Sequence, residues 1–466
     1  MVTLPDAPGR YQVGATTFAI PVLNPVPVGS TKLKSTGGNT SNDHALLLEE
    51  VAFTAYYPVA AYDDAKSYGA SPSDLSNRPV KRTLHGYAHV GGIPYWFTRI
   101  FSHYAARLKI PVRTNAPLLD PAQSPDEKRS WPLVIFSHGL GGSRTNYSQI
   151  CSRIAAEGNV VLAVEHRDGT GPAVSIANGQ GSGHSPQFKL YLRPEDDGSE
   201  PKSFALRLDQ LQFRRLEIYL IYKYFSEFIN TRIQEDIDGP QKQASEGAFW
   251  KSWLSDQFPK VQYTENLSLV GHSFGGATIL SILSNPPLQM PGSDARFDAL
   301  PITHALVLDP WLEPFPSPGP NPHLEATRGP HMPKILIINS EAFTLWKSHF
   351  ARLQEVMQTW RESKGDGSGA GADLLTLVRA VHVSFSDFGV IVPFARRDGR
   401  RLMDVVGALA VAFLEDRLEE ALKGMRTREM EVAQVKKFHR RLRKVTFGHA
   451  KRRLAGDVGD VIVHHP

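Results

Sequence analysis

Short, wholly apolar runs alternate with amphipathic stretches through the middle of this 466-residue chain. Trp131-Pro-Leu-Val-Ile-Phe136 is one such run, and it stops at Ser137-His138-Gly139-Leu140-Gly141-Gly142. A helical pattern follows from Tyr147 to Glu157, then a second apolar run, Val160 to Val164. The same alternation returns at Leu267–Val270, Ala305–Leu308 and Lys334–Ile338. Strands apolar on both faces and separated by helices predict a mostly parallel central sheet with helices on both faces, an α/β class fold. Phe204 to Ile233 and Met403 to Leu422 predict long helices, and Trp96 to Leu108 a short amphipathic one. Leu374 to Val381 is apolar and reads as strand or helix, ending at His382. Glu50 to Tyr57, β-branched and aromatic before Pro58, predicts an earlier strand.

Outside these runs the pattern weakens. Residues 1–45 are rich in Pro, Gly, Thr and Asn and read as an irregular lead-in; residues 46–424 read as the catalytic domain, with insertions near 169–202 and 238–262; residues 425–466 read as a basic tail. Lys+Arg 52 against Asp+Glu 47 is near balance, and the excess clusters between Lys436 and Arg453. That describes a tail better than a nucleic-acid face. With Cys151 alone no intrachain disulfide can form. The N-terminus carries no signal-peptide pattern, and no apolar run reaches the roughly 18–20 residues a span needs. The expectation is a cytoplasmic protein.

The chemistry sits where the apolar runs end. Gly271-His272-Ser273-Phe274-Gly275 fits Gly-x-Ser-x-Gly, with an apolar strand before it and a helical pattern after it. That context predicts a nucleophile elbow rather than an ordinary buried turn: a strained turn lifts the Ser273 hydroxyl clear of the sheet, and only glycine fits the crowded flanks. In this arrangement the acid follows the nucleophile and the histidine comes last. Asp309, directly after Ala305–Leu308, is the expected acid, with a turn or cap before Pro310 as the plainer alternative. His382 is the expected general base; His349 and His331 compete but read as structural or solvated. The oxyanion needs two N–H donors, expected from Phe274 and Leu140, although a flexible turn would predict the same glycines at 139, 141 and 142. His138 precedes the nucleophile and reads as structural. Glu165-His166-Arg167-Asp168 reads as an ion-pair network before a pocket lining, and Asp196 and Asp197 as solvated. No cluster has metal-ligand spacing and no phosphate-cradling glycine loop occurs, so neither metal nor cofactor is expected.

With these residues in place the chain resembles the platelet-activating-factor acetylhydrolases of the plasma and type II intracellular kind, members of the α/β-hydrolase superfamily. The similar segments are Trp131 to Gly142, Ala163 to Asp168, Gly271 to Thr278, Leu308 to Trp311, Ile338 to Glu341 and Val381 to Phe388. The resemblance implies calcium-independent hydrolysis of a short or oxidised sn-2 acyl ester of a phospholipid through an acyl-enzyme. It carries the nucleophile onto Ser273, the acid onto Asp309, the base onto His382 and the oxyanion donors onto Leu140 and Phe274. It also implies peripheral membrane contact; Ile93-Pro-Tyr-Trp-Phe-Thr-Arg-Ile100 reads equally as that contact or as core. The alternatives are a general carboxylesterase or lipase and, in another class, an inactive hydrolase fold serving as a binding module.

Overall fold

In the computed structural model the apolar runs lie side by side. The structure describes residues 2–32, 44–61, 68–76, 78–176, 187–193, 204–230, 244–255, 258–328, 332–363, 371–391, 396–434 and 452–465. Ten strands build most of one sheet: β1 (Gln12–Pro27), β2 (Leu47–Val59), β3 (Leu108–Thr114), β4 (Trp131–Ser137), β5 (Val160–Val164), β6 (Leu267–His272), β7 (Ile302–Leu308), β8 (Lys334–Ser340), β9 (Ala372–Leu377) and β10 (Val461–His464). Their order across the sheet is β3-β1-β2-β5-β4-β6-β7-β8-β9-β10. The six from β5 to β9 in that order are parallel. β2 joins β5 antiparallel, and β10 joins β9 antiparallel.

Each central strand is apolar on both sides because both sides are covered. Leu133 and Ile135 of β4 face one core, Val134 and Phe136 the other. Helices α3 (Ser148–Ala155) and α7 (Arg396–Leu414) fill one face with Ile150, Ile154, Val406 and Leu409. Helices α4 (Ala205–Asn230), α5 (Phe274–Leu283) and α6 (Lys347–Glu362) fill the other with Phe213, Ile279, Leu353 and Trp360. Two further helices, α1 (Val80–Gly91) and α2 (Thr98–Ala106), pack on each other near the N-terminal half of the sheet.

Several expectations need correction. The lead-in is not irregular throughout: residues 12–27 form the long strand β1, which pairs with β2 from Gln12↔Val59 onward. The C-terminal segment is not only a tail, because Val461–His464 completes the sheet against β9; residues 435–451, which hold most of the basic run, lie outside the described residues. The stretch near 238–262 carries a helix, Ala244–Trp253, whose Trp253 is fully buried against Tyr57, Phe225 and Phe249. The helix expected up to Leu108 ends at Ala106, and Leu108 opens β3. The final helix expected from Met403 to Leu422 begins earlier, at Arg396, and breaks into two pieces, Arg396–Leu414 and Leu418–Lys423. His331, Asp196 and Asp197 lie outside the described residues. Ile93-to-Ile100 is not core: Ile93, Trp96 and Ile100 are exposed, Trp96 by 66%. Among the described residues no helix is long and apolar enough to cross a membrane.

Candidate active site

The residues singled out for chemistry all follow carboxyl ends of parallel strands: His138–Gly142 after β4, Glu165–Asp168 after β5, Ser273 after β6, Asp309 after β7 and His382 after β9. That edge is where open α/β sheets bind ligands.

Ser273 sits at φ 58°, ψ −116°, between the last residue of β6 and the first of α5. A left-handed φ is costly for a side-chain-bearing residue and persists only where the surroundings hold it. Here Ser273 N–H donates to Leu308 O at 2.8 Å, and Trp311 N–H donates to Ser273 O at 3.2 Å. The flanking glycines follow from contact: a Cβ on Gly271 would run into the Gly275 carbonyl, and one on Gly275 into the Ser137 carbonyl. The elbow is thus wedged against β4, and α5 points its free first-turn N–H groups toward Ser273.

Ser273 Oγ lies 2.9 Å from His382 Nε2, and His382 Nδ1 lies 3.0 Å from Asp309 Oδ2. Asp309 is fully buried, with φ 43°. Its carboxylate also accepts from Ser340 N–H at Oδ1 (2.6 Å) and from Ser340 Oγ–H at Oδ2 (2.6 Å). Ser340 was not singled out in the sequence; its signal is an N-cap serine after an apolar strand, where its Oγ also accepts from Phe343 N–H. With Oδ2 facing Nδ1, the imidazole presents Nε2 to the serine. The His382 ring is held between Phe343, stacked at 4.5 Å and 4°, and His272 at 4.5 Å and 37°.

The glycine loop comes against the elbow: a Cβ on Gly139 would stand 2.9 Å from Ser273 Cβ. Among the described residues neither Leu140 N–H nor Phe274 N–H has a protein acceptor, and both belong to segments that touch Ser273. His138 lies behind the loop. Its Nδ1 faces Gly139 O at 2.8 Å, its Nε2 accepts from His166 N–H at 3.2 Å, and burial pushes its pKa down to about 4. It is a neutral structural group. His349 is similar: buried, pushed down to about 4 mainly by burial, its Nε2 accepting from Leu312 N–H.

Glu165 to Asp168 form a buried network. Glu165 pairs with Arg78 and Arg144, His166 with Glu217 at 2.6 Å, Arg167 with Glu50, and Asp168 with Arg214 at 2.8 Å. Arg214 also donates to His138 O at 2.6 Å and lies over the Phe274 ring, so the network braces the loop and elbow together. Nitrogen and oxygen atoms of His272, Asp309 and His382 fall within 4.8 Å of one another. Within this group His272 Nδ1 meets Tyr147 Oη (2.8 Å), and the two Asp309 oxygens meet Ser340 and His382.

A cavity of about 540 Å³, lined by none of Ser273, Asp309 and His382, is walled in part by the chain that follows the glycine loop and His382. Its walls are largely apolar, with Leu84, Tyr87, Ile100, Phe101, Tyr104, Phe388 and Ile391, and its polar residues include Arg78, Asn146 and Asp387. Its size falls within the range of small-molecule pockets. Phe388 is six residues past His382, and Asn146 follows the glycine loop, so cavity and site share two segments.

Relatives agree with this picture. The chain is 29% identical over 343 residues to a platelet-activating factor acetylhydrolase of Gallus gallus, covering 69% of this chain and 68% of that one. It is 27% identical over 360 residues to the Canis lupus familiaris protein of the same name, covering 74% and 69%. Among solved structures, a ferulic acid esterase from Streptomyces cinnamoneus superposes with TM-score 0.51 over 90% of this chain and 94% of that one. At 14% identity that is a likeness of fold, in keeping with the α/β-hydrolase fold that the resemblance implied. The profile of the family described as platelet-activating factor acetylhydrolase, isoform II, matches residues 1–423, and the chain belongs to that family.

Proposed function

We propose that the protein is a serine hydrolase that cleaves a short or oxidised sn-2 acyl ester of phospholipids, with Ser273 as nucleophile, His382 as base and Asp309 as acid. The observation that carries the reading is the unbroken row Ser273 Oγ–His382 Nε2 (2.9 Å) and His382 Nδ1–Asp309 Oδ2 (3.0 Å). His382 takes the hydroxyl proton as Oγ attacks the ester carbonyl. The oxyanion is received by the N–H groups of Leu140 and Phe274. His382 then gives its proton to the leaving lysophospholipid oxygen, and water activated by the same ring releases the acyl group. No step calls for calcium, because the charge that develops is met by N–H donors and by Asp309.

The phospholipid assignment is supported by family membership and by the apolar cavity, whose wall residues Ile100 and Phe101 are also exposed, by 64% and 51%. Trp96, in the turn that leads into the helix carrying them, is exposed as well, and these apolar side chains would suit rest on a lipid surface next to the cavity mouth. A single, buried cysteine asks for no oxidising compartment, which supports cytoplasmic action. Fluorophosphonate labelling of the full chain tests the chemistry: it is expected on wild type and absent in Ser273→Ala, and unlabelled wild type would refute the reading. A series of phospholipid and p-nitrophenyl esters of increasing acyl length tests the substrate, and equal turnover of simple esters and phospholipids at every length would refute the phospholipid assignment.

A further inference from the structure

Behind the serine–histidine–aspartate row runs a second buried hydrogen-bond chain that no step above uses. Gly139 N–H donates to Tyr147 Oη at 3.3 Å, and Tyr147 Oη lies 2.8 Å from His272 Nδ1. Tyr147 and His272 are each only 4% exposed. A phenol has one proton to give. The Gly139 N–H can only donate, so the Tyr147 hydroxyl accepts there; its one proton has His272 Nδ1 as an acceptor 2.8 Å away, and that is the direction the pairing below takes. In that direction Nδ1 of His272 is an acceptor and the neutral ring carries its proton on Nε2, which is buried without a hydrogen-bond partner among the described residues. Burial, and next the His382 charge, push the His272 pKa well below its ordinary value, which keeps that form. Burial likewise raises the Tyr147 pKa and keeps the phenol protonated.

The position of this chain gives it meaning. The His272 ring lies 4.5 Å from the His382 ring, the group that must carry positive charge while the ester is attacked. A charged neighbour there would oppose that charge; a neutral ring does not. At its other end the chain holds Gly139, the residue before Leu140. Phe136 packs on the Tyr147 ring at 4.8 Å and keeps its hydroxyl aimed.

We infer that Tyr147 and His272 are a coupled pair of positioning residues: one phenol hydroxyl sets the tautomer of the imidazole beside the base and anchors the loop that carries the oxyanion donor. The inference rests on the proposed serine-hydrolase reading and deepens it. The family resemblance above assigns neither residue a role.

The test uses the full chain as Tyr147→Phe, His272→Gln and the double variant, with kcat and KM for a short-chain p-nitrophenyl ester and Ser273→Ala as reference. Each single change is expected to lower kcat roughly ten- to a hundredfold, the range that small misplacements of reacting groups produce, with KM close to wild type. The double variant is expected to be no slower than the slower single, because one chain is broken once. Losses that multiply, a rise in KM with kcat unchanged, or Tyr147→Phe turning over like wild type would overturn the inference. If Ser273→Ala keeps full activity, the hydrolase reading itself has failed. Should the variants not fold, histidine-selective ¹⁵N NMR of wild type decides: His272 is expected protonated at Nε2 and bare at Nδ1 throughout the pH range of activity, and a proton on Nδ1 would refute the pairing.

Discussion

Gly139→Ala is the smallest change that separates a structural turn from an oxyanion loop. Its new methyl carbon would lie 2.9 Å from Ser273 Cβ, 3.2 Å from His272 O and 3.4 Å from His272 Nδ1, where ordinary contact begins at 3.4 Å. Something must give by about 0.5 Å. The elbow cannot retreat, since Ser273 N–H is bonded to Leu308 O at 2.8 Å and Gly275 is already pressed on the Ser137 carbonyl. The loop therefore moves, and Leu140 N–H moves with it. Loss of one oxyanion donor costs about 2.7–4 kcal/mol; a displacement that weakens rather than removes it should cost about 1.5–3 kcal/mol, or roughly ten- to a hundredfold in kcat. The fold should hold, because the loop lies at the sheet edge and the core residues are untouched. The assay is kcat on a p-nitrophenyl ester, normalised by fluorophosphonate titration of Ser273 and set beside the thermal midpoint. A Gly139→Ala enzyme that folds like wild type and turns over within about twofold of it would refute the placement of an oxyanion donor on this loop.

Acid should weaken the fold through buried histidines. His138 and His349 are held at about 4 by burial, against about 6.5 unfolded, so between those values the unfolded chain binds protons that the folded one does not, and stability falls as pH falls by about 1.4 kcal/mol per unit for each. Asp387, pushed up to about 6 by burial, works the other way by one proton over its own range, so His349→Gln is expected to flatten the pH 5–6.5 slope of urea-unfolding stability by one proton, and an unchanged slope would count against it. Trp253→Ala removes a fully buried indole packed on Tyr57, Phe225 and Phe249 and should cost about 3–5 kcal/mol in denaturant titration; a cost below about 1 kcal/mol would show that this helix adds little to the core. Ala105→Trp would fill part of the 540 Å³ cavity, so kcat/KM should fall about tenfold or more for long-chain phospholipids and little for acetyl esters, and equal losses on both would argue that the cavity takes no part of the substrate.

The parts of this molecule that were readable from its sequence are those written in consecutive residues. The elbow is five residues between an apolar run and a helix, and Asp309 and His382 each stand where an apolar run stops. What escaped was written across long separations. β1 was hidden because Pro21, Pro25 and Pro27 mark irregular chain, yet Gln12 to Ile20 find a full partner in β2, whose pairing outweighs local preference. β10 is four residues long and would not hold alone; the pairs from Leu374↔His464 to Leu377↔Val461, 90 to 84 residues apart, make it a strand. The charges of α4 tell the same story. Arg214 and Glu217 stand i,i+3 on one helix, where they could pair with each other, yet both are fully buried and meet instead Asp168 and His166 of the loop after β5. Burying a charge such as Arg214 costs several kcal/mol unless partners meet it with good geometry, whereas burial raises the Glu217 pKa and lowers that of His166, so those two meet as neutral groups. Arg214 spends its donors on Asp168, the His138 carbonyl and Thr170, and lies over Phe274. The cost is therefore incurred at the two segments that must face each other across the nucleophile. The reading of Glu165 to Asp168 as structural fits their contacts, and those contacts hold the glycine loop and the elbow against each other, although none of the contacts named for the four touches the serine–histidine–aspartate row.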